Sequence, residues 1–308
     1  MASTSLDAVA RLLGELTVLH ERALGRDGHI SPLAGLHLIR ATAPTKPLHT
    51  TFEPTLYVVV QGRKQVTLAR ERYIYDPAHY LLTSLPFPAT SQLLDASRAR
   101  PYLCIGISLD TALVSSVFME AFTDADFPWS EQRATPRAVA VGSIDVGLLD
   151  AVLRLVRLVE SPRDARVLAP LIHRELIYRL LVGEQGARLA ALASRGGHTH
   201  RIARSIAWLR EHFTQPLRVE SLGRSVGMST SGFHHHFRAV TGSTPLQFQK
   251  QLRLQRARHL MLTEELDATN AGFRVGYNDT SQFNREYRRL FGAPPLRDVT
   301  RLRRLQGT

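Results

Sequence analysis

Hydrophobic residues follow two different spacings along this chain, and each spacing predicts a different kind of structure. Between residues 5 and 24 leucine and valine recur every three or four positions, which predicts an N-terminal helix. From Ile30 to about Asp110 the apolar residues form short runs separated by proline and glycine, as is typical of a small β-barrel or sandwich. After Asp110 the helical spacing returns, and it predicts helices over 111–122, 146–159 and 167–182.

Six of the short apolar runs are predicted to be strands, over residues 35–40, 55–61, 64–68, 72–75, 80–82 and 102–109. The step Gln61-Gly62-Arg63-Lys64 is interpreted as a hairpin turn between two of them. The helices over 146–159 and 167–182 are amphipathic and joined by a short link. Two interpretations of this pair stay open: core packing within one chain, or half of a homodimer interface.

The last third of the chain carries the same pattern twice. Gly227-Met228-Ser229 leads to Phe233 and Phe237, and Gly276-Tyr277-Asn278 leads to Phe283 and Tyr287. Each glycine permits the left-handed backbone of a tight turn, and Ser229 or Asn278/Asp279 is suited to cap the next helix. Aromatic residues four positions apart pack on one side of a helix and leave its other side free. The repeat therefore predicts two helix-turn-helix units.

Glycines between residues 183 and 199 indicate a domain boundary. We therefore predict a sensor and dimerisation domain over 1–183, a linker over 184–199 and a DNA-binding domain over 200–305. The last domain is expected to hold seven helices. A helical stripe from Ile202 to Phe213 is closed off by Pro216, and a longer helix from Pro245 to about Leu262 separates the two units.

Charge is concentrated in the C-terminal third. Residues 198–308 contain 18 Lys and Arg against 8 Asp and Glu, a net charge of +10, whereas the other residues contain 21 and 19. Binding to DNA phosphates needs such an excess of positive charge, and its coincidence with the repeated pattern favours duplex DNA as the partner.

Length and composition exclude several other classes of protein. A chain of 308 residues is long enough for two domains. The single cysteine, Cys104, excludes an intramolecular disulfide framework, and the first residues lack the basic and apolar blocks of a secretory signal. No apolar run approaches the ~20 residues that span a bilayer. We therefore expect a cytoplasmic, nucleoid-associated protein with no membrane partner.

The stretch from Arg201 to Arg304 resembles the DNA-binding domain of the AraC/XylS family of bacterial transcription regulators. The residues that carry the resemblance are Leu222, Val226-Gly227-Met228-Ser229, Phe233, Phe237, Thr241-Gly242, Pro245, Leu252-Arg253-Leu254, Ala257-Arg258, Phe273, Val275-Gly276-Tyr277, Ser281-Gln282-Phe283, Tyr287-Arg288, Phe291-Gly292 and Pro295. Residues 32–104, with Glu53-Pro54, Val60-Gln61-Gly62-Arg63-Lys64, Tyr75-Asp76-Pro77 and Tyr80, look like the sensor domain of one branch of that family.

The resemblance implies an α+β multidomain fold, with an N-terminal cupin-like β-barrel, flanking helices and a C-terminal all-α domain with two helix-turn-helix units. Four positions depart from the family pattern. Gly223 and Gly272 stand where alanine is usual, and each costs up to ~1 kcal/mol of helix stability. His235 stands where arginine is frequent, whereas Arg285 keeps arginine in the second unit. Ala271 replaces a larger aliphatic residue, so we expect the second unit to be the softer one.

Each recognition helix is expected to enter a major groove with its outward residues on base edges. The candidate DNA-binding residues are Ser229, Thr230, Ser231, His234, His235, Arg238, Thr280, Ser281, Gln282, Asn284, Arg285 and Arg288. Gln282 and Arg285 are the strongest candidates for base reading, because amide and guanidinium groups make bidentate contacts to adenine and guanine. For any single residue, contact with phosphate or water alone stays an open alternative.

Candidate chemistry in the barrel is less specific. Tyr57, Gln61, Tyr73, Tyr75, Tyr80 and Cys104 are candidate lining residues of an effector pocket, with core packing as the alternative for the tyrosines. Cys104 lies in an apolar strand, which favours an inert thiol over a sensing one. We expect no metal and no cofactor: His234-His235-His236 diverge along a helix, and the barrel histidines lack a His-x-His pair with a following carboxylate.

The leading hypothesis is a transcription regulator in which a small-molecule effector, bound in the barrel, changes how the C-terminal domain engages promoter DNA. The resemblance implies that activation through contact with RNA polymerase is the most frequent mode. Two alternatives stay open. One is a cupin-type enzyme fused to a DNA-binding module, and the other is a ligand-free regulator whose N-terminal half only dimerises.

Overall fold

The computed structural model describes residues 2–122, 137–193 and 197–306, with side chains from residue 6 to 303 within these ranges. It forms two compact units, the first made mainly of residues up to 200 and the second mainly of residues from 201 onward. Within the described ranges, no helix is both long enough and apolar enough to cross a membrane.

The first unit contains two β-sheets. Its strands are β1 (Gly28–Leu33), β2 (Leu36–Ala41), β3 (Leu48–Phe52), β4 (Thr55–Gln61), β5 (Arg63–Leu68), β6 (Glu71–Tyr75), β7 (His79–Thr83), β8 (Phe87–Asp95), β9 (Tyr102–Ser108) and β10 (Val139–Ser143). A six-stranded sheet has the order β1-β2-β9-β4-β7-β10, and a four-stranded sheet has the order β3-β8-β5-β6. The expected sensor fold is therefore confirmed as a β-sandwich.

The hairpin turn expected at Gln61-Gly62-Arg63-Lys64 is wrong. Strand β4 pairs with β7 and β9, whereas β5 pairs with β6 and β8, so the step carries the chain from one sheet to the other. Gly62 has φ +85°, and a Cβ there would lie 2.5 Å from the Asp95 carbonyl oxygen. A glycine at this position permits the crossing between sheets, and it has the same sequence signature as a hairpin glycine.

Helices cover the outer face of the six-stranded sheet. The helices of the first unit are α1 (Ala2–Ala23), α2 (Thr111–Ala121), α3 (Val146–Arg157), α4 (Pro162–Val182) and α5 (Gly186–Ala193), with a 3-10 turn over Leu158–Glu160. Helices α1 and α3 pack on each other, and α1 also contacts β4. Leu16 of α1 and Val152 of α3 are fully buried, as are Leu38 and Val58 of the sheet. This apolar layer is the core of the unit.

Helices α3 and α4 contact each other within the chain. The segment predicted to be a linker contains helix α5, which packs on α2 and α4. Leu189, Ala190 and Ala193 are buried there. Glycines at 183 and 186 suggested a flexible connection, but the apolar residues between Gly186 and Ala193 give α5 a face to bury.

The described part of the second unit from residue 201 onward is helical. It contains α6 (His198–Glu211), α7 (Val219–Ser225), α8 (Thr230–Thr241), α9 (Pro245–Thr263), α10 (Ala268–Arg274), α11 (Thr280–Phe291) and α12 (Pro295–Gln306). The seven predicted helices are thus confirmed. Helix α9 begins with a capping box formed by Thr244 and Gln247, and with Pro245 in its first turn.

Gly276 lies in the turn of the second helix-turn-helix unit, beside the segment that follows α6. Its φ is +90°, and a Cβ there would lie 2.2 Å from the carbonyl oxygen of Thr214. Gly292, in contrast, has φ +77° with nothing within 4 Å of its Cβ position. The two glycines share a backbone conformation and differ in available space.

We expect Gly276→Ala to lower the free energy of unfolding by roughly 3 kcal/mol or more, because the backbone at Thr214 must move away from the new Cβ. Gly292→Ala is the matched control, and strain in the left-handed region alone should cost about 1–2 kcal/mol. Urea unfolding of the full chain measures both values. An equal loss of unfolding free energy in the two variants would show that the close approach of Thr214 does not add to the effect of Gly276→Ala.

Candidate nucleic-acid interface and sensor interior

The first helix-turn-helix unit is built from α7, a four-residue connection over 226–229 and α8. The Met228 amide donates to the Gly223 carbonyl at 2.9 Å, and Gly227 closes the turn with φ +72°. Ser229 then caps α8, its Oγ accepting from the Gly232 amide at 3.2 Å. These are the turn and the cap that the repeat predicts.

The second unit repeats this geometry with different residues. The Tyr277 amide donates to the Gly272 carbonyl at 3.0 Å. Asp279 caps α11, because its carboxylate accepts from the amides of Ser281 at 2.8 Å and Gln282 at 3.2 Å. Asp279 rather than Asn278 therefore supplies the cap, and it leaves the hydroxyl groups of Thr280 and Ser281 outside the capping interaction.

Aromatic residues fix the inner side of each recognition helix. Phe233 and Phe237 of α8 are fully buried, with ring centroids 5.5 Å apart, and Phe237 meets Phe248 of α9 edge-on at 5.4 Å. Phe283 and Tyr287 of α11 are fully buried with centroids 5.6 Å apart. The predicted packing of both pairs is confirmed, and the opposite side of each helix is left for recognition.

The two glycines that depart from the family pattern pack against these rings. A Cβ at Gly223 would lie 3.4 Å from the Cβ of Phe233, an ordinary contact. At Gly272 a Cβ would lie 3.1 Å from the Phe283 ring, which is tighter than most real contacts. Close packing on the aromatic ring therefore explains glycine in the second unit, and it does not require glycine in the first.

Most candidate DNA-binding residues lie on the exposed side. Successive helical residues turn by about 100°, so His235 in α8 and Arg285 in α11 point away from the buried aromatic pairs. The exposed candidates are Ser229, Thr230, Ser231, His234, His235, Arg238, Ser281, Asn284, Arg285 and Arg288, while Thr280 and Gln282 are partly buried.

Gln282 is held by a polar network on α11. Its Nε2 donates to Glu286 Oε1 at 3.3 Å, and the same carboxylate accepts from Lys250 Nζ at 2.7 Å and from the Tyr277 hydroxyl at 2.8 Å. These hydrogen bonds hold the pKa of Glu286 below its usual range, although burial acts in the opposite direction. A charged Glu286 therefore orients the Gln282 amide.

Sequence reasoning missed Arg289. It is exposed one turn beyond Arg285 on α11. With Arg285 and Arg288 it lines a groove of about 770 Å³ that Pro295 and Leu296 close on the other side. The signal was available, because residues i and i+4 share a helix face.

Arg253 of α9 hydrogen-bonds both the segment that follows α6 and the turn of the second helix-turn-helix unit. Its guanidinium donates to the carbonyl oxygens of Phe213 at 2.6 Å, Thr214 at 3.1 Å, Gln215 at 2.9 Å and Gly276 at 3.0 Å. Gln249 adds bonds to Phe213 at 3.0 Å and Gln215 at 2.7 Å. We call the carbonyl groups of Phe213, Thr214 and Gln215 the carbonyl junction.

The inner face of the six-stranded sheet follows from strand register. Tyr57 pairs with Gly106, and Val59 pairs with Cys104, so these residues face the four-stranded sheet. Tyr75 of β6 pairs with Lys64 of β5 and is fully buried on the side that faces them. Tyr57, Tyr75 and Cys104 therefore lie on the facing sides of the two sheets.

The remaining pocket candidates lie elsewhere. Tyr80 pairs with Val58 and so shares the outer, helix-covered face rather than that of Tyr57. Tyr73 is partly exposed, and its hydroxyl donates to Glu71. The Gln61 amide donates to the Pro101 carbonyl at 2.7 Å. Alternation along a strand separates Tyr80 from the interior, and that register could not be derived from the sequence.

Cys104 is fully buried, and burial raises the pKa of its thiol, although the nearby Lys64 acts in the opposite direction. The sulfur is therefore protonated at neutral pH, which favours the inert interpretation. In the part of the chain that the structure describes, no three His, Cys, Asp or Glu side chains form a group that could hold a metal ion.

Two helix-turn-helix units with buried aromatic sides and open polar sides define a DNA-binding protein, and the β-sandwich adds a separate sensor fold. Residues 32–188 match the family described as AraC-type transcriptional regulator N-terminus, and residues 222–301 match a helix-turn-helix domain family. The chain belongs to the AraC-type transcriptional regulators, a family of DNA-binding regulators and not of enzymes. This assignment removes the enzyme alternative.

Individual relatives agree with this assignment. The chain is similar to the HTH-type transcriptional activator RhaS of Salmonella schwarzengrund, with 29% identity over 157 residues, which cover 51% of this chain and 55% of the relative. It thus spans about half the length of the curated relatives it matches.

Solved structures of ToxT from Vibrio cholerae share the fold. An apo ToxT variant has a TM-score of 0.57 and 10% identity, covering 89% of this chain and 99% of that chain. Wild-type ToxT with an unsaturated fatty acid bound has a TM-score of 0.55 and 10% identity, covering 84% and 92%. At this identity the likeness shows the fold alone.

We expect Arg253→Met to lower the free energy of unfolding by about 2–3 kcal/mol, because the carbonyl junction loses its charged donor. Arg256→Met is the control: Arg256 is exposed on the same helix, and its loss should change stability by no more than about 0.5 kcal/mol. Urea unfolding compares them. A cost for Arg253→Met no larger than that of the control would contradict the role of the junction.

Proposed function

We propose that this chain is an effector-controlled transcription regulator that places α8 and α11 in successive major grooves of promoter DNA. The observation that carries the proposal is the division of both helices into a buried aromatic side and an exposed polar side. Two such helices on one linking helix suit half-elements about 10 bp, or about 34 Å, apart. Restriction of the excess positive charge to this unit supports the same partner.

The two units are proposed to read DNA differently. In α11, Arg285 is exposed and Gln282 is oriented by Glu286, so a guanidinium and an amide are available for bidentate contacts to guanine and adenine. In α8 the equivalent position holds His235, a smaller group with fewer donors. The second unit therefore supplies most of the base discrimination, while the remaining candidates position the backbone.

We expect Arg285→Ala and Gln282→Ala each to relax preference at one base pair, at a cost of about 1–3 kcal/mol on the preferred sequence. Binding of randomised duplexes, followed by sequencing, gives the preference at each position. Preferences that stay unchanged while all sequences bind more weakly would refute base reading by these residues.

Arg289→Ala is the matched control on the same helix. Its side chain lies one turn further along α11 in the groove beside Pro295, where contact with a phosphate is expected. This substitution should weaken all sequences equally and reduce the slope of log affinity against log salt by about 1.

The interior of the β-sandwich is proposed to hold a small-molecule effector. Supporting observations are the convergence of Tyr57, Tyr75 and Cys104 on one side of the sheet and the sensor family match over residues 32–188. The solved fatty acid complex shows that ToxT, which shares this fold, takes a small molecule. The effector would act by binding two arrangements of the protein with different affinity.

Activation is the proposed sign of regulation, since RhaS is described as a transcriptional activator. Activation would proceed through contact with RNA polymerase at promoters in the cytoplasm. The alternative of a ligand-free regulator predicts that occupied promoters respond to protein concentration alone.

The exposed side of α4 is proposed to form a homodimer interface. Val167, Leu171 and Tyr178 are 67%, 58% and 47% exposed, and with Arg174 between them they follow the alternating spacing of four and three that forms a coiled-coil seam. The partner we propose is α4 of a second copy, because a two-fold symmetric interface pairs the same surface from each subunit.

We expect Leu171→Glu to convert the dimer to monomer, because the seam would lose an apolar contact and would have to desolvate a carboxylate. Arg166→Glu is the control, since Arg166 is exposed on another side of α4. Light scattering after size-exclusion chromatography gives the mass of each. A wild-type mass of one chain at all concentrations, or a dimer that survives Leu171→Glu, would argue against this interface.

A further inference from the structure

Both faces of the six-stranded sheet are largely buried. On the outer face Leu38, Val58 and Ile105 are fully buried. On the inner face Val59 and Cys104 are buried as well, whereas Tyr57 keeps part of its surface accessible. Burial nevertheless raises the pKa of Tyr57 to about 12. Tyr57 is thus desolvated and still partly accessible, as a side chain that borders an interior space would be.

Lys64 extends into this space from β5. It alternates with exposed Arg63 and shares its side of the strand with Val66 and Leu68, which are both buried. Its Nζ lies 5.9 Å from the centroid of the Tyr102 ring. The side chain is partly accessible, and desolvation lowers the pKa of the ammonium group, so Lys64 borders the same interior.

The Lys64 ammonium has no carboxylate partner among the residues that the structure describes. No described hydrogen bond or ion pair reaches it, and the single aromatic contact at 5.9 Å offsets only part of the cost of removing an ammonium from water. The side chain keeps part of its surface accessible, so its ammonium is partly desolvated and is open to pairing with an anion.

Two tyrosine hydroxyls near Lys64 lack a well-formed hydrogen bond. Tyr75 and Tyr102 are fully buried, and their hydroxyl oxygens meet no partner in strict hydrogen-bond geometry within the described ranges, although the two hydroxyls lie close enough to interact with each other. Tyr75 pairs with Lys64 across the strands, and the Tyr102 ring lies against its ammonium. Buried polar groups are usually satisfied, so two hydroxyls without a well-formed hydrogen bond beside an unpaired cation mark one site.

We propose that the interior site formed by Lys64, Tyr75 and Tyr102 binds the carboxylate of a small organic acid. This inference rests on the proposed function and names its effector class. The ammonium pairs with the anion, and the two hydroxyls donate to carboxylate oxygens, so one ligand group satisfies all three. Val59 and Val66, which share this side of their strands, suit an apolar body on the acid.

A neutral ligand such as a sugar would leave this arrangement incomplete. Its hydroxyl groups can accept hydrogen bonds from Tyr75 and Tyr102, but they cannot neutralise a desolvated ammonium. Specificity for an acid over its amide therefore follows from Lys64, since the two ligands differ by little except charge.

The test uses the full chain and a panel of benzoate, octanoate and dodecanoate, each beside its primary amide, with glucose as a neutral sugar. Thermal shift finds the binders, and titration calorimetry measures their affinity. We expect at least one acid to raise Tm while its amide does not. Lys64→Met should weaken that acid by at least about 30-fold, the loss typical when one partner of a buried charge pair is removed.

Two further variants separate charge from folding. Arg63→Met removes the adjacent, outward-facing cation and should leave acid binding unchanged. Lys64→Arg keeps the charge and should retain binding of the acid over its amide. Without ligand, Lys64→Met should have a higher Tm than wild type, because the unpaired ammonium is gone, whereas a lower Tm would indicate that Lys64 stabilises the fold.

The outcomes distinguish this inference from the proposed function. If an amide or glucose binds as tightly as the acids, or if Lys64→Met binds the acid as wild type does, the acid site is refuted while an effector-controlled regulator stands. If no compound of the panel raises Tm, the acid site is also refuted. Loss of sequence-specific DNA binding by the wild-type chain would refute the proposed function instead.

Discussion

The carbonyl junction is the constraint on which the DNA-binding unit depends. Three successive carbonyl groups at the end of α6 have no helical partners, and Arg253 and Gln249 of α9 supply donors to them. Because Arg253 also bonds the carbonyl of Gly276, the turn of the second helix-turn-helix unit is tied to the same point. One guanidinium thus satisfies a helix end and relates the second turn to the linking helix.

Each recognition helix separates folding from recognition by side. The aromatic residues that bury α8 and α11 fix their orientation, so the exposed residues can change without loss of the core. His235 and Arg285 occupy equivalent exposed positions, yet they differ greatly in hydrogen-bonding capacity. Two helix-turn-helix units with the same fold can therefore contribute unequally to sequence preference. One can contact mainly the DNA backbone while the other contacts the bases.

Much of this architecture could be predicted from the sequence because local signals specify it. Gly227 and Gly276, the caps and the aromatic spacing predict both helix-turn-helix units, and the structure has them. Strands β1, β3 and β8 were missed, since Pro32, His49 and Pro88 interrupt or dilute their apolar pattern, and β10 was missed because it is short. The sheet crossing at Gly62, the outer position of Tyr80 and the unpaired Lys64 depend on contacts between residues distant in sequence, which spacing alone does not encode.

The different surroundings of Gly223 and Gly272 have a consequence for how the two halves of the DNA-binding unit tolerate change. Helix α7 has room for a methyl group beside Phe233. Gly223→Ala, which needs a single base change in the gene, would therefore stabilise this helix. In helix α10 a Cβ at position 272 would meet the Phe283 ring at 3.1 Å, so that ring must shift before alanine fits. A stabilising alanine therefore fits the first half without rearrangement and the second half only with movement of Phe283.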